Sequence, residues 1–155
     1  MRQSLAAVAL IARRTGSSPL WLVRWNDKWR AYHFPGGHKH PDESFHDCLV
    51  RELREELGLE DQRHYVFGDK ARAHLEFVAW SESHQTETAY TMELFDVMLA
   101  DEATASWLAV DAHNRWLTES EIRAGRAVDG RPVSRTTATL LDRLVGDTPG
   151  HATNS

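Results

Sequence analysis

One stretch, from Gly36 to Leu59, limits what this chain can fold into more than any other part of the sequence. It starts with a glycine pair, Gly36-Gly37, and continues into a segment whose apolar residues recur at helical spacing. These apolar residues are Phe45, Leu49, Leu53 and Leu57, with Val50 at the edge of the stripe. Ser44 or Asp42 suits the N-cap of such a helix, and Gly58 suits its end. The pattern predicts a glycine loop that leads into a helix with one buried face.

Three carboxylates share one side of the predicted helix, next to the apolar stripe. Glu52, Glu55 and Glu56 stand at i, i+3 and i+4, the spacing at which helical side chains are neighbours. Asp47, Arg51 and Glu55 form a ladder of opposite charges, as a solvated helix face would. Glu52 does not join this ladder, because its neighbours along the helix are apolar or acidic. We therefore expect a group outside the helix to neutralise Glu52, and Mg²⁺, which prefers oxygen ligands, would do so.

The fixed residues of this stretch form one pattern. They are Gly37, Glu43, Arg51-Glu52, Glu55-Glu56 and Gly58, with hydrophobic Leu53 and Leu59. Five residues separate Gly37 from Glu43, and seven separate Glu43 from Arg51. The pattern resembles the complete signature of the Nudix hydrolases. At residue frequencies of roughly 6%, a chance match in a chain of this length is on the order of one in ten million.

The resemblance implies the Nudix fold, an α+β (α/β/α) sandwich in which helices flank a mixed β-sheet. It also implies a metal-dependent pyrophosphohydrolase with Mg²⁺ or Mn²⁺ as cofactor. Such an enzyme cleaves a phosphoanhydride bond in a nucleoside diphosphate linked to another group: a nucleoside triphosphate, a nucleotide sugar or a dinucleotide. The chemistry agrees, because bound cations neutralise a diphosphate and activate water. The sequence does not choose among these substrates, and it leaves a monomer or a homodimer open.

The site residues follow from the resemblance position by position. The implied metal ligands are Glu52, Glu55, Glu56 and the carbonyl group of Gly36. Any of these glutamates could assist in activating water. Arg51 would orient Glu52 or anchor Glu43, and Glu43 would fasten the loop to the helix. Gly37, Glu43 and Gly58 complete the motif as structural residues.

Many members of the family add a carboxylate from a later loop, as a metal ligand or as a base. Asp101 and Glu102 follow the longest predicted strand of this chain and are candidates for that role. The alternative is an exposed loop charge, the usual position of acidic residues. Other acidic residues that the sequence does not separate from them are Glu76, Glu82, Glu87 and Glu93.

Three histidines lie in or near the glycine loop, and they could contact a phosphate or a softer metal. They are His38, His40 and His46. Their spacing matches no standard zinc pattern, which favours exposed loop residues. His40 stands where family members frequently have glutamate, so the number of metals stays open.

The composition limits the partners of the chain. Of its 155 residues 26% are charged, and the net charge is -5. The sequence therefore lacks the basic footprint of a protein that binds long nucleic acid, and it does not favour an anionic membrane surface. No apolar run approaches the roughly 20 residues of a membrane span. We expect a small-molecule substrate of the nucleoside diphosphate type, with no long nucleic acid and no membrane.

Cys48 is the only cysteine, so no internal disulfide can form and a reducing compartment, the cytoplasm, is expected. Its place on the helix near the core indicates a buried, inert thiol rather than a nucleophile. That argues against an isopentenyl diphosphate isomerase-like activity, which some proteins of the Nudix fold perform with further cysteine chemistry. A catalytically silent nucleotide-binding sensor is the other alternative, and the intact carboxylates of the motif argue against it.

Outside the motif the sequence predicts mainly strands. They cover residues 5–11, 20–25, 29–34, 65–67, 71–80, 89–99 and 107–108. The apolar N-terminus fits a buried strand better than a signal peptide. Two more helices are predicted, one from residue 118 or 119 to 124 and one that begins after Ser134. We expect a single domain over residues 1–145 and a flexible tail over residues 146–155.

Overall fold

A computed structural model describes residues 1–146, which contain eight strands and four helices. The strands are β1 (Arg2–Thr15), β2 (Ser18–Asn26), β3 (Ala31–His33), β4 (Gly36–His38), β5 (Tyr65–Val66), β6 (Ala73–Ser81), β7 (Thr86–Leu99) and β8 (Asn114–Thr118). The helices are α1 (Phe45–Leu57), α2 (Glu102–Leu108), α3 (Glu119–Ala124) and α4 (Arg135–Gly146). Because the strands pair both parallel and antiparallel, the predicted α+β class with a mixed sheet is confirmed.

The described chain divides into two compact units, and the first comprises Met1–Ile11 and Pro35–Ala105. In its sheet β7 pairs parallel with β1 and antiparallel with β5 and β6. The short strand β4 pairs antiparallel with β1 and places Gly37 opposite Ala7. Helix α1 packs against β4. The first unit therefore holds the whole Gly36 to Leu59 stretch.

The second unit comprises Ala12–Phe34 and the described residues from 106 onward. Its sheet is built on β2, which pairs antiparallel with the end of β1, with β3 and with β8. Helix α3 packs against α4. Within the described residues, the buried side chains of these two helices are Ile122, Thr137, Leu140, Leu141 and Leu144.

Local sequence signals explain where α1 starts and stops. The Ser44 hydroxyl accepts a hydrogen bond from the backbone N–H of Asp47 at 3.0 Å, so Ser44 is the N-cap. The helix ends at Gly58, as predicted. Leu49 and Leu53 are fully buried. The predicted apolar stripe is thus the buried face of the helix.

Replacing Leu53 by alanine should lower the free energy of unfolding by about 2–5 kcal/mol, because the truncation leaves a cavity under α1. Denaturant titration of both proteins measures the difference. The matched control is Arg54→Ala on the exposed side of the same turn, which should change stability by about 0.5 kcal/mol or less. Equal stability of the Leu53→Ala variant and the wild type would contradict the assignment of the buried face.

Two predicted elements before α1 differ from the structure. The glycine pair lies in strand β4 rather than in a loop, because β1 offers it a hydrogen-bonding edge. The strand predicted over residues 29–34 is shorter, since the chain turns until Arg30 and β3 begins at Ala31. Arg30 has a positive φ of 54°, a backbone conformation that suits a turn and not a strand.

The strand predicted at Trp107-Leu108 is wrong, because these residues end helix α2. Asp101 caps this helix, and the residues that follow include good helix formers. Ala105 and Leu108, three positions apart, are both buried. Two apolar residues in a row fit a strand and a helix equally well, so periodicity could not decide between them. Strand β8 was not predicted.

The C-terminal predictions agree with the structure. Helix α3 begins after Thr118, whose side chain and that of Glu121 form a capping box. Ser134 caps α4 by accepting the backbone N–H of Thr137 at 3.1 Å. The helix ends at Gly146, where the flexible tail was predicted to begin, and the rest of that tail lies outside the described residues. Each helix within residues 1–146 is too short or too polar to cross a bilayer.

Candidate active site

Arg51 is the centre of a polar network that joins α1 to the preceding loop. Its Nε and Nη2 donate to the two carboxylate oxygens of Glu43 at 3.0 and 2.7 Å. Nη2 also donates to the carbonyl oxygen of His38 at 2.9 Å. Nη1 donates to Glu52 at 2.9 Å and to Glu55 at 3.3 Å. One guanidinium group therefore fixes the loop, the end of β4 and two motif glutamates relative to one another.

The bidentate pair with Arg51 sets the ionisation of Glu43. The two N–H donors of Arg51, together with the backbone N–H of His40, hold the pKa of Glu43 at about 2. The same hydrogen bonds raise the pKa of Arg51 above its usual range. Both groups are therefore charged throughout the neutral range, and the loop stays attached to the helix there.

Glu52 forms an ion pair with Arg51, its neighbour on the same helix. The expectation that a group outside the helix would neutralise it is therefore corrected. Adjacent helical residues normally point apart, but Glu43 and the His38 carbonyl draw the guanidinium of Arg51 across to Glu52. Burial still raises the pKa of Glu52, whose side chain is only 16% exposed. In the described residues Arg51 makes no ion pair with Asp47, so that part of the predicted ladder is absent.

The carboxylates of Glu52 and Glu56 lie against the glycine pair of β4. The backbone N–H of Gly36 donates to Glu56 Oε1 at 3.3 Å. A Cβ atom on Gly37 would lie 2.5 Å and 2.7 Å from the two carboxylate oxygens of Glu52. Only glycine at position 37 therefore leaves room for this carboxylate.

Position 36 requires glycine for a different reason from position 37. Its φ is +147°, and a Cβ atom there would collide with the carbonyl oxygen of Ala7 and lie 2.9 Å from the Cα of Val8. Both contacts are with the backbone of β1, which cannot move aside without disturbing the sheet. The missing side chain of Gly36 thus allows β4 to lie close to β1. The missing side chain of Gly37 allows the Glu52 carboxylate of α1 to lie close to β4.

The side chains in this region fit a divalent cation by their chemistry. Glu52, Glu55 and Glu56 offer only carboxylate oxygens, the hard donors that Mg²⁺ and Mn²⁺ prefer. Within residues 1–146, however, no three acidic, histidine or cysteine side chains already converge on a common point. Glu55 in particular is 57% exposed and turned toward Arg51. Such an arrangement suits a cation that keeps waters and takes further ligands from a phosphate.

The two later carboxylates are placed at the start of α2. The Asp101 carboxylate accepts hydrogen bonds from the backbone N–H and the hydroxyl of Thr104 at 2.8 and 2.7 Å, which lower its pKa. Glu102 is the first residue of the helix. The acidic pair expected in a loop therefore belongs to a helix terminus, and Asp101 is engaged in capping.

The three histidines near the glycine pair have different surroundings. His38 is exposed, as predicted, but it is the last residue of β4 and not a loop residue. Its Nδ1 lies 3.2 Å from the hydroxyl of Ser4, and desolvation of the imidazole lowers its pKa. His40 is exposed, as predicted. His46 lies in α1 and stacks on Phe67 with ring centroids 4.1 Å apart, so the prediction of an exposed loop residue is wrong for it. No local pattern indicates this stacking, because Phe67 is distant along the chain.

Cys48 lies on the buried face of α1 and is fully buried, as predicted. Its Sγ lies 3.5 Å from the carbonyl oxygen of Gly37. Burial, with the nearby charge of Glu43, raises the pKa of the thiol to about 11. The nucleophilic thiolate is therefore scarce at neutral pH.

At pH 8 the folded protein should react with iodoacetamide far more slowly than the unfolded protein, since Cys48 is both inaccessible and protonated. Mass spectrometry of samples quenched over time, with and without denaturant, measures the two rates. The unfolded chain serves as the control for intrinsic reactivity. Equal rates in both states would show that the thiol is accessible.

Comparison with known proteins identifies the family. A family model described as NUDIX domain matches residues 2–136. The fold is similar to that of an Ap4A hydrolase from C. elegans, at 16% identity over 94% of this chain and 97% of that one, with a TM-score of 0.60. It is also similar to RenU, a Nudix hydrolase from M. smegmatis, at 19% identity over 94% and 86% of the two chains, with a TM-score of 0.58.

A further similar structure is that of NrtR from Shewanella oneidensis, solved with a 27mer DNA. The identity is 13%, the TM-score is 0.63, and the match covers 90% of this chain but only 59% of NrtR. No curated protein matched the sequence significantly. At these identities the structural likenesses show the fold. The family model covers most of the chain, and the chain therefore belongs to the Nudix family of hydrolases.

Proposed function

We propose that this protein is a metal-dependent pyrophosphohydrolase acting on a nucleoside diphosphate linked to another group. One observation carries the proposal: the carboxylates of Glu52 and Glu56 meet at the glycine pair of β4, where Gly37 has no side chain to exclude them. The likeness to the Ap4A hydrolase supports dinucleoside polyphosphates as one substrate class, beside nucleoside triphosphates and nucleotide sugars. The family match over residues 2–136 supports one functional domain over residues 1–145.

The proposed metal ligands are Glu52, Glu55, Glu56 and the carbonyl oxygen of Gly36. Mg²⁺ or Mn²⁺ bound there would neutralise the diphosphate oxygens and lower the pKa of the attacking water. Arg51 holds Glu52 at 2.9 Å and so fixes the direction of its carboxylate. Glu43, anchored by the same guanidinium, keeps the loop after β4 in place. One of these three glutamates would also accept the proton of the attacking water.

The test is hydrolysis of a panel of diphosphate compounds by the full chain. The panel contains nucleoside triphosphates, ADP-ribose, a nucleotide sugar and Ap4A, each with Mg²⁺, with Mn²⁺ and with EDTA. Chromatography of the products shows which bond is cleaved. We expect cleavage with either cation and none with EDTA, and the compound with the highest kcat/KM names the substrate class.

Two other results would point elsewhere. Tight nucleotide binding without cleavage of any compound would favour the silent sensor. Isomerisation of isopentenyl diphosphate would favour the isomerase, although the buried Cys48 thiol, with its pKa of about 11, argues against cysteine chemistry. The proposed substrate is a small molecule. NrtR, which was solved with DNA, is a longer protein, and the match covers only 59% of it.

A further inference from the structure

The sheet of the first unit carries helix α1 on one face, and strand register shows which side chains share that face. Gly37, Ala7, Glu93 and His74 form one row across β4, β1, β7 and β6. Directly paired residues direct their side chains to the same face of a sheet. Because a Cβ atom on Gly37 would lie against the Glu52 carboxylate of α1, this row lies on the face that carries α1.

The same face continues beyond this row, toward the hairpin between β6 and β7. The following positions are the row of Leu5, Thr91 and Glu76, the row of Gln3, Ala89 and Val78, and the pair of Glu87 and Trp80. Val78 is 55% exposed, Trp80 53% and Leu5 38%. Along β6 the exposed residues alternate with half-buried ones, and the exposed ones are those on the face of α1. We call Leu5, Val78, Trp80, Glu76 and Glu87 the hairpin surface.

The hairpin surface has room for a helix beside α1. A helix about 10 Å wide covers about two strands that are spaced roughly 4.8 Å apart. Helix α1 packs against β4 at one edge of the sheet, whereas the exposed side chains belong to β6 at the other edge. From His74 to Trp80 the exposed face is about 20 Å long at roughly 3.3 Å per residue, the length of about four helical turns. Sheets of this kind bury apolar side chains under helices.

The charges of the hairpin surface indicate what kind of helix it fits. Glu76 lies two positions before Val78 on β6, and Glu87 lies opposite Trp80 on β7. The His74 imidazole lies 4.0 Å from the Glu76 carboxylate, but within residues 1–146 neither Glu76 nor Glu87 forms an ion pair with a lysine or an arginine. Uncompensated carboxylates beside apolar side chains are complementary to a partner with basic groups beside an apolar stripe.

The same carboxylates disfavour other occupants. They repel the phosphates of nucleic acids and of anionic membranes. A second copy of the chain would bring like charges together, because a symmetric interface pairs a surface with itself. The net charge of -5 adds to this repulsion. A basic amphipathic helix of another protein meets none of these penalties.

We propose that the hairpin surface binds an amphipathic helix of a partner protein, in which lysine or arginine residues flank an apolar stripe. The apolar stripe packs on Trp80, Val78 and Leu5. The basic side chains pair with Glu76 and Glu87. The inference does not rest on the proposed hydrolysis, because none of these residues belongs to the Nudix signature.

The experiment is a titration of the ¹⁵N-labelled full chain with a synthetic helical peptide of leucine, alanine and lysine, followed by ¹H–¹⁵N correlation spectra. The leucines of the peptide form one face, and the lysines lie on both sides of it. We expect saturable shifts of the Trp80 indole N–H and of the amides of residues 74–80 and 87–91. A matched peptide with glutamate in place of lysine should bind at least tenfold more weakly.

Glu76→Lys and Trp80→Ser should each raise the Kd for the lysine peptide by roughly tenfold. Both side chains are exposed, so thermal melts should show that both variants stay folded. Glu76→Lys should also bind the glutamate peptide more tightly than the wild type does. The matched control is Glu60→Lys, which makes the same charge change at an exposed residue outside the hairpin surface and should leave both affinities unchanged.

Three results of the titration would overturn the proposal: shifts that do not saturate or lie elsewhere, equal binding of the two peptides, and an unchanged Kd in both variants. Sedimentation of the free chain provides a further test. A dimer of the wild type that Trp80→Ser dissociates would also overturn the proposal, because the hairpin surface would then bind a second copy of the chain.

Discussion

Replacing Glu56 by glutamine should reduce kcat by about 100-fold or more, with little change in melting temperature. Glutamine keeps the size of the side chain and an oxygen that can accept the 3.3 Å hydrogen bond from Gly36 N–H. It loses the negative charge that binds a divalent cation and the capacity to take a proton from water. Steady-state kinetics at saturating Mg²⁺, with a thermal melt of the same sample, measure both quantities.

The matched control for this prediction is Glu60→Gln. Glu60 is exposed, lies just after α1, and pairs with Arg63 at 3.0 Å. It undergoes the same chemical change outside the candidate site, so kcat should stay at the wild-type value. A folded Glu56→Gln variant with an unchanged kcat would remove Glu56 from the active site and leave Glu52 as the principal candidate.

The parts of this protein that could be predicted from sequence are those with short-range causes. The spacing of Leu49 and Leu53 indicates helix α1, and Ser44 and Gly58 mark its two ends within the same stretch of chain. The carboxylate face follows from the same spacing. Such features depend on neighbours three or four residues away, which periodicity and capping rules describe well.

Features that depend on distant residues could not be predicted. The ion pair between Arg51 and Glu52 forms because Glu43 and the His38 carbonyl attract the guanidinium from outside the helix. His46 stacks on the ring of Phe67, which belongs to a later segment of the chain. In each case a tertiary contact overrides the local expectation.

The contact between Trp25 and Arg131 in the second unit illustrates the same limit on a larger scale. The side chains of Trp25 and Arg131 meet across more than 100 intervening residues. Neither position belongs to a recognisable motif. Only the pairing of β2 with β8 and β3 and the bridge between Tyr32 and Val133 bring their segments together. A contact of this kind becomes visible in the fold and not in the sequence.

Replacing Gly37 by alanine should lower kcat/KM by about 100-fold, because small misplacements of a catalytic group have effects of this order. The added methyl group would occupy the space 2.5 to 2.7 Å from the Glu52 carboxylate oxygens. The Glu52 side chain can rotate away, so the fold should survive while the carboxylate leaves its place beside β4. The Mg²⁺ dependence of the remaining activity should shift to higher concentrations of the cation.

Two other glycine substitutions make this prediction specific. Gly68→Ala adds a methyl group where no atom lies within 4 Å, so kinetics and melting temperature should both stay unchanged. Gly36→Ala brings the methyl group against the backbone of Ala7 and Val8, which cannot rotate away, so the melting temperature itself should fall. Full activity of the Gly37→Ala variant would mean that catalysis does not need the Glu52 carboxylate at this strand. The metal would then have to be sought away from the glycine pair, since it is the close approach of helix and strand at Gly37 that defines the proposed site.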